Sequence, residues 1–465
     1  MTIKRVLIAV AVLLIVGVAA LYMLYMAINR GLHGDLLRAT LETQLSVRLG
    51  QPVRIGSAGA SLFPPSLDLR EITIGKAPAV RLAQVRIVTG LRGLLSRRIE
   101  EAEVVLANGQ VAWPLPFALS SPRAPNEPAS PPPVTIQSVR RITLRDITVV
   151  TGLPPVVIDL DAGLEGDRLA IANLTARSGK TRLEAKGAFE SLSRLQARLD
   201  VKGNLSFAGY DATDLASTIA VNPQGIALNP LSFRMFDGSF RGRLDADLRG
   251  ALPQLRLGGD VAGVNAAEVM KALGSEGSLT GTLGGRVSLL ASGNDASSLL
   301  RTAHGTIAAT VKNGMLPHLD MVRPIVLAFG KPSGAPPEGS GSTFSTLAGT
   351  FALAGGTLTS DNLSLASRDF DMNGRGRLHV ETSAVDAAAD VVLSKELTAQ
   401  SGTDLRRYAQ EDGRVIVPAT IHGTLEHPTV FVDVAEATRR ALSNEIRRRA
   451  RDFFGGLFKK KKGGG

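Results

Sequence analysis

Residues 369–380, DFDMNGRGRLHV, alternate without a break. The odd positions are Asp369, Asp371, Asn373, Arg375, Arg377 and His379, and the even positions are apolar or glycine. Strict period two over twelve residues is the pattern of a strand with one dry and one wet face. The same stretch also opens like a calcium loop. Asp369-x-Asp371-x-Asn373-Gly374 places oxygens at positions one, three and five and a glycine at six. Such a loop closes on a bidentate glutamate at position twelve, but that position is Val380, and Glu381 comes one residue too late. The would-be ligands stand beside two arginines and Gly374 falls in the dry phase. The strand reading is the stronger.

The same alternation runs through most of the chain. It begins at SLDLREITIG (66–75), VRLAQVRIVTG (80–90) and VVLANGQVAW (104–113), where Asn108-Gly109 predicts a two-residue hairpin turn. Eight prolines between 114 and 133 exclude ladder and helix and predict a linker or long loop. Alternation resumes at 134–150 and continues to about 292. A second loop, GKPSGAPPEGSGST (330–343), precedes a final β region. Helical interruptions are predicted at 32–50, 265–273, 395–410 and from 435 onward. There is also an internal repeat: residues 215–248 align without a gap to 347–380, with nine identities and the apolar phase kept throughout.

The two ends carry different signals. Residues 6–28 hold no charge over twenty-three positions, more than the roughly 20 that span a bilayer as helix. The run exceeds the apolar stretch of a cleavable signal peptide and ends near Tyr22 and Tyr25, suited to a membrane interface. It predicts an uncleaved single span. Lys4 and Arg5 favour a cytoplasmic N-terminus, with the bulk of the chain on the far side. At the other end, residues 435–465 hold ten Lys/Arg against three acidic residues, which accounts for +7 of the net charge of +11. A basic tail on the far side of the membrane meets anionic lipid headgroups more readily than nucleic acid. Leu442, Ile446, Ala450, Phe453, Phe454 and Leu457 form an apolar stripe there. Arg447, Arg448, Arg449, Lys459, Lys460, Lys461 and Lys462 are the membrane-surface candidates.

A search for catalytic chemistry returns little. There is no cysteine, which excludes disulfides, thiol catalysis and Cys-ligated metals. No phosphate loop, nucleophile elbow, dinucleotide fingerprint or H-E-x-x-H metal motif occurs. His422 and His427 flank a turn and read as an exposed hairpin pair. Asp159 with Asp161, and Asp245 with Asp247, share strand faces as alternation alone would place them. The expectation is a protein with no catalytic residues, no metal and no cofactor; an anchored glycan- or lipid-hydrolase would need a clustered acid/base site, and the sequence offers none. A long β-rich chain with 4% aromatics must place its dry face somewhere. Small aliphatic lining suits an open groove better than an aromatic-anchored sandwich.

Several segments carry a family resemblance. GQPVRIGSAGASLFPPSLDLREITIG (50–75) resembles the opening of AsmA-like proteins of Gram-negative envelopes. Residues 235–273 and 277–293 are similar to that family's middle, and 304–316 and 417–434 to its C-terminal region. The resemblance implies a mainly β fold. An N-terminal transmembrane helix leads into an elongated, curved, mostly antiparallel sheet forming a taco-like hydrophobic groove, followed by a C-terminal amphipathic basic helix. It further implies an inner-membrane, single-pass location with the bulk periplasmic. The expected partners are phospholipids and membranes, with other envelope proteins and no nucleic acid.

Seven segments are expected: an anchor (1–30), an N-terminal helix and β region (31–113), the linker (114–133), a central groove region (134–329), the loop (330–343), a C-terminal β region (344–434) and the tail (435–465). Roughly 20 strands at about 4.8 Å spacing give a sheet of order 100 Å. The groove candidates come from the repeat: Leu347, Phe351, Leu353, Phe370, Met372, Leu378 and Val380, with Ile219, Val221, Phe240 and Leu244 from the first copy. The function so implied is acyl-chain binding in support of phospholipid transport and outer-membrane homeostasis. The competing reading is a non-enzymatic scaffold or assembly factor for outer-membrane proteins.

Overall fold

The computed structural model describes residues 34–433 apart from 50, 76–78, 91–97, 113–134, 151–153, 208, 322, 326–340, 401–409 and 412, together with 436 and 439. The predicted span 6–28, the linker 114–133, most of the loop 330–343 and nearly all of the tail lie outside these residues. So do all seven membrane-surface candidates. Among the described residues no helix is long and apolar enough to cross a membrane. The chain divides into two compact units, Met1–Pro230 and Leu231–Gly465.

The first unit begins with helix α1 (Gly34–Leu49) and continues through β1 (Val53–Leu62), β2 (Pro65–Ile74), β3 (Val80–Val88), β4 (Arg98–Ile99), β5 (Ala102–Ala112), β6 (Thr135–Ile136), β7 (Ser138–Val150), β8 (Val156–Glu165), β9 (Arg168–Ser178), β10 (Thr181–Ser191), β11 (Gln196–Phe207) and β12 (Tyr210–Asn222). β13 (Gly225–Met235) carries the boundary. Pairing runs β1-β2-β3-β5, then β7 to β12 in chain order, antiparallel except at β5–β7. Parallel neighbours need a crossover connection, and the proline-rich residues fall in the one between Ala112 and Ser138. The short β4 and β6 pair separately in parallel.

The dry face of β1–β9 is sealed. Leu67, Ile87, Leu106, Ile147 and Ile158 have no exposed surface, and they belong to one continuous core with Leu37, Leu41 and Leu45 of α1. A flat single layer would leave such side chains in water, so the sheet bends until its dry side meets itself. The i, i+4, i+8 leucines of α1 fill the interior beside β1. The helix also covers the edge strand chemically. Glu42 Oε1 accepts the Ile55 N–H at 2.7 Å and Ser46 Oγ the Val53 N–H at 2.9 Å.

Asn108-Gly109 is no hairpin turn. Both residues lie inside the unbroken strand β5, and Asn108 adopts φ 52° there. The segments on either side pair with β3 on one edge and β7 on the other, so neither is free to fold back on its neighbour. Left-handed residues recur inside strands at Glu71, Asp146 and Asn313. At Asp146 and Asn313 the ladder register shifts in the manner of a bulge, which bends and twists the strand, whereas the register is kept across Glu71.

The second unit holds β14 (Gly238–Asp247), β15 (Gln254–Asn265), α2 (Ala266–Ala272), β16 (Thr280–Ser292), α3 (Ala296–Thr302), β17 (His304–Leu316), β18 (Ser342–Ala354), β19 (Thr357–Ala366), β20 (Phe370–His379), β21 (Ala384–Leu393), α4 (Lys395–Gln400), β22 (Gln410–Glu411), β23 (Arg414–Thr424) and β24 (Pro428–Val432). β14 through β21 pair antiparallel in chain order, followed by β23 and β24. Ser275, before β16, meets Ser383, before β21, with hydroxyls 2.8 Å apart. A flat sheet would hold those loops at least four strand spacings apart, roughly 19 Å. This sheet is therefore rolled as well. The molecule is mainly β, mostly antiparallel, and no described pairing closes either unit into a barrel.

Residues 369–380 are strand β20 with its two flanking residues, and Asp371 pairs with Arg414 at 2.9 Å. The repeat is visible in the strand ends. Residues 222, 225 and 238–247 bound β12, β13 and β14; adding 132 gives 354, 357 and 370–379, which bound β18, β19 and β20.

Candidate functional site

The strand registers of the second unit line its dry side chains into rows that cross the sheet. One row runs Leu244, Leu257, Leu289, Gly305, Leu353, Leu358, Leu378, Val385 and Gly423. All its aliphatic members are half-buried. A row further along the strands runs Leu283, Val311, Leu347, Leu365, Met372, Val391 and Val417. There Leu365, Met372, Val391 and Val417 are buried, in a core completed by Ala266, Leu319, Met321 and Ile325. The same face is thus packed at one level and part-open at another.

Glycine and alanine explain the opening. Between the two rows Gly242, Gly259, Gly285, Ala309, Gly349, Gly374 and Gly376 are interspersed with Val287, Ile307 and Phe351, and Ala246 and Ala291 stand beyond the open row. A rolled sheet lined by such residues cannot fill its own interior. Phe240 compensates locally: its ring lies over Gly242 and Gly259, and it stacks on Phe233 at 5.1 Å.

The groove candidates separate accordingly. Phe351, Leu353 and Leu378 line the part-open level; Leu244 joins the Leu353 row, and Leu347 is half-buried against the core. Phe370 and Met372 are 1% and 3% exposed, core residues that present no free surface. Phe240 is also buried. Val380 lies one residue beyond β20, in a turn, where its N–H donates to the Gly356 carbonyl at 2.9 Å. Ile219 and Val221 sit on β12 of the first unit, opposite Leu199 and Ala197, with Ile219 buried. Leu257, Leu289, Leu358 and Val385 were not singled out from the sequence. Their signal was present as alternation, but only the register places them beside Leu353.

The opposite face is charged and internally paired. Arg377 donates to Asp386 at 2.6 Å and His422 Nδ1 stands 3.4 Å from the same carboxylate. Hydrogen bonding from Arg377 holds the Asp386 carboxyl below its usual range. Asp159 receives Arg177 at 2.7 Å, and Asp161 receives Arg141 and Arg145. Asp247 is gripped by Arg249, whose side-chain hydrogen bonds pull its pKa far down. The carboxylates of Asp159, Asp161, Asp245 and Asp247 are thus each ion-paired with nearby arginines. Among the described residues no group of three His, Asp or Glu is placed to hold a metal.

Residues 156–363 match the protein-family model described as the AsmA family. No curated protein and no solved structure matches the chain.

Proposed function

We propose that this chain, whose residues 156–363 match the AsmA family model, binds lipid acyl chains on the part-open dry face of its second unit. In doing so it supports phospholipid transport and outer-membrane homeostasis. The observation that carries this reading is the Leu244-to-Val385 row, which crosses eight strands, is aliphatic on seven of them with Gly305 on the eighth, and is left half-buried. Each methylene moved from water onto such a surface gains about 0.8 kcal/mol. On this reading residues 6–28 anchor the protein in the inner membrane, the rest is periplasmic, and the basic tail engages anionic lipid. The protein performs no catalysis.

The test uses single photo-crosslinking residues at four positions of the full chain. Lipid adducts at Leu353 and Leu378, and none at Thr350 and Arg375 on the opposite face, support acyl-chain binding. Equal labelling on both faces, or none, refutes it. One observation favours a scaffold instead. Among the described pairings the edge strand β24 has β23 alone as neighbour, and its Phe431 is 56% exposed. Loss of envelope-protein adducts on changing Phe431, with lipid adducts unchanged, would support that second reading.

A further inference from the structure

The two units treat their dry faces differently, and the difference bears on where cargo can go. In β1–β9 the inward positions carry large side chains: Leu67, Leu82, Ile87, Leu106, Ile147 and Leu160 among them, each at most 1% exposed. Gly109 is the exception that fits the rule. A Cβ there would lie 2.6 Å from Leu82 Cδ2 and 2.9 Å from Ile147 Cδ1, so even a glycine site is filled by its neighbours. The α1 leucines occupy what space the bend leaves. In β14–β21 the corresponding positions mix large apolar residues with glycine and alanine, and the open row keeps its surface.

We infer that acyl-chain contact is confined to the β14–β21 face, and that β1–β9 form a packed core which excludes cargo. This rests on the lipid-binding reading above. A protein interior is already packed at the density of an organic crystal. An acyl chain entering β1–β9 would have to displace side chains from a continuous core and expose them. On the β14–β21 face the surface it covers is already partly in water. The chain therefore holds cargo in its second unit and does not pass it along β1–β9.

The experiment uses the unaltered full chain reconstituted into vesicles of phosphatidylethanolamine and phosphatidylglycerol, doped with a phospholipid bearing a diazirine on one acyl chain. Adducts are mapped by peptide mass spectrometry after irradiation, with residues 6–28 as the expected positive control for the bilayer. The expected result is adducts on dry positions of β14–β21 and none on those of β1–β9. Adducts on Leu106, Ile147 or Leu160 as well would overturn the confinement while leaving lipid binding intact. Adducts on neither set would overturn lipid binding, and the confinement with it. Adducts on β1–β9 alone would place the cargo where the packing forbids it and overturn the inference outright.

Discussion

At the residue scale, positions on one face of the sheet carry different burdens. Met372 is buried in a core and Leu353 is half-buried on the open row. Met372→Asp must desolvate a charge in a packed apolar site and should cost several kcal/mol, read as a lowered denaturant midpoint. Arg375→Gln, exposed on the wet face, should stay within about 0.5 kcal/mol in the same assay. A glycine makes the complementary point. A methyl at Gly242 meets the Gly258 carbonyl and the Phe240 ring, so Gly242→Ala should destabilise by about 1–3 kcal/mol through overpacking. Acid response follows from Asp386. Its folded-state pKa lies below the unfolded value because Arg377 hydrogen-bonds the ionised form. The stability this contributes is present above the ordinary carboxylate range and is lost as pH falls through the depressed pKa. Asp386→Asn should flatten that acid limb of the stability curve; an unchanged limb would mean the pair contributes nothing.

At the scale of elements, α1 is where sequence and packing meet most directly. Its leucines at 37, 41 and 45 close the interior beside β1, and Glu42 and Ser46 satisfy N–H groups that an edge strand otherwise leaves bare. Leu41→Ala should cost about 2–5 kcal/mol because the site is fully enclosed. Glu42→Ala should cost less, about 1–3 kcal/mol, as the price of an unpaired part-buried amide. Thermal unfolding of the two variants side by side gives the order, and equal shifts would count against α1 as the filling element. The helix itself was legible from residues 32–50. The continuous strand through Asn108-Gly109 was not, because a left-handed Asn followed by Gly serves a hairpin turn and a continuing strand that keeps its register equally well. Which one forms depends on whether strands are available on both sides.

At the scale of the whole molecule, the glycine and alanine rows set the volume available to a ligand. Ala246→Leu with Ala291→Leu adds side-chain volume on a face that is only half-buried, where overpacking strain is small. The double variant should fold with an unchanged melting temperature and lose acyl-chain adducts at Leu353. Retained adducts would place the lipid elsewhere. The predicted tail has its own test: a peptide of residues 435–462 should bind anionic vesicles at low salt, each basic residue near the surface contributing about 1 kcal/mol.

The sequence by itself determined the β architecture, the period-two faces, the repeat and the absence of familiar catalytic motifs. These are properties of neighbours along the chain, and alternation reports them wherever it runs. It also paired the correct segments of the repeat, whose strands end at matching residues 132 apart. What only the tertiary structure decided is which dry face is full and which is part-open. Met372 and Leu378 share a face of β20 six residues apart, yet one is sealed beneath Met321 and Ile325's core and the other keeps surface. Burial on a rolled sheet depends on what the opposite wall contributes. That wall is built from strands and loops tens of residues away, whose side-chain volumes no local pattern can sum.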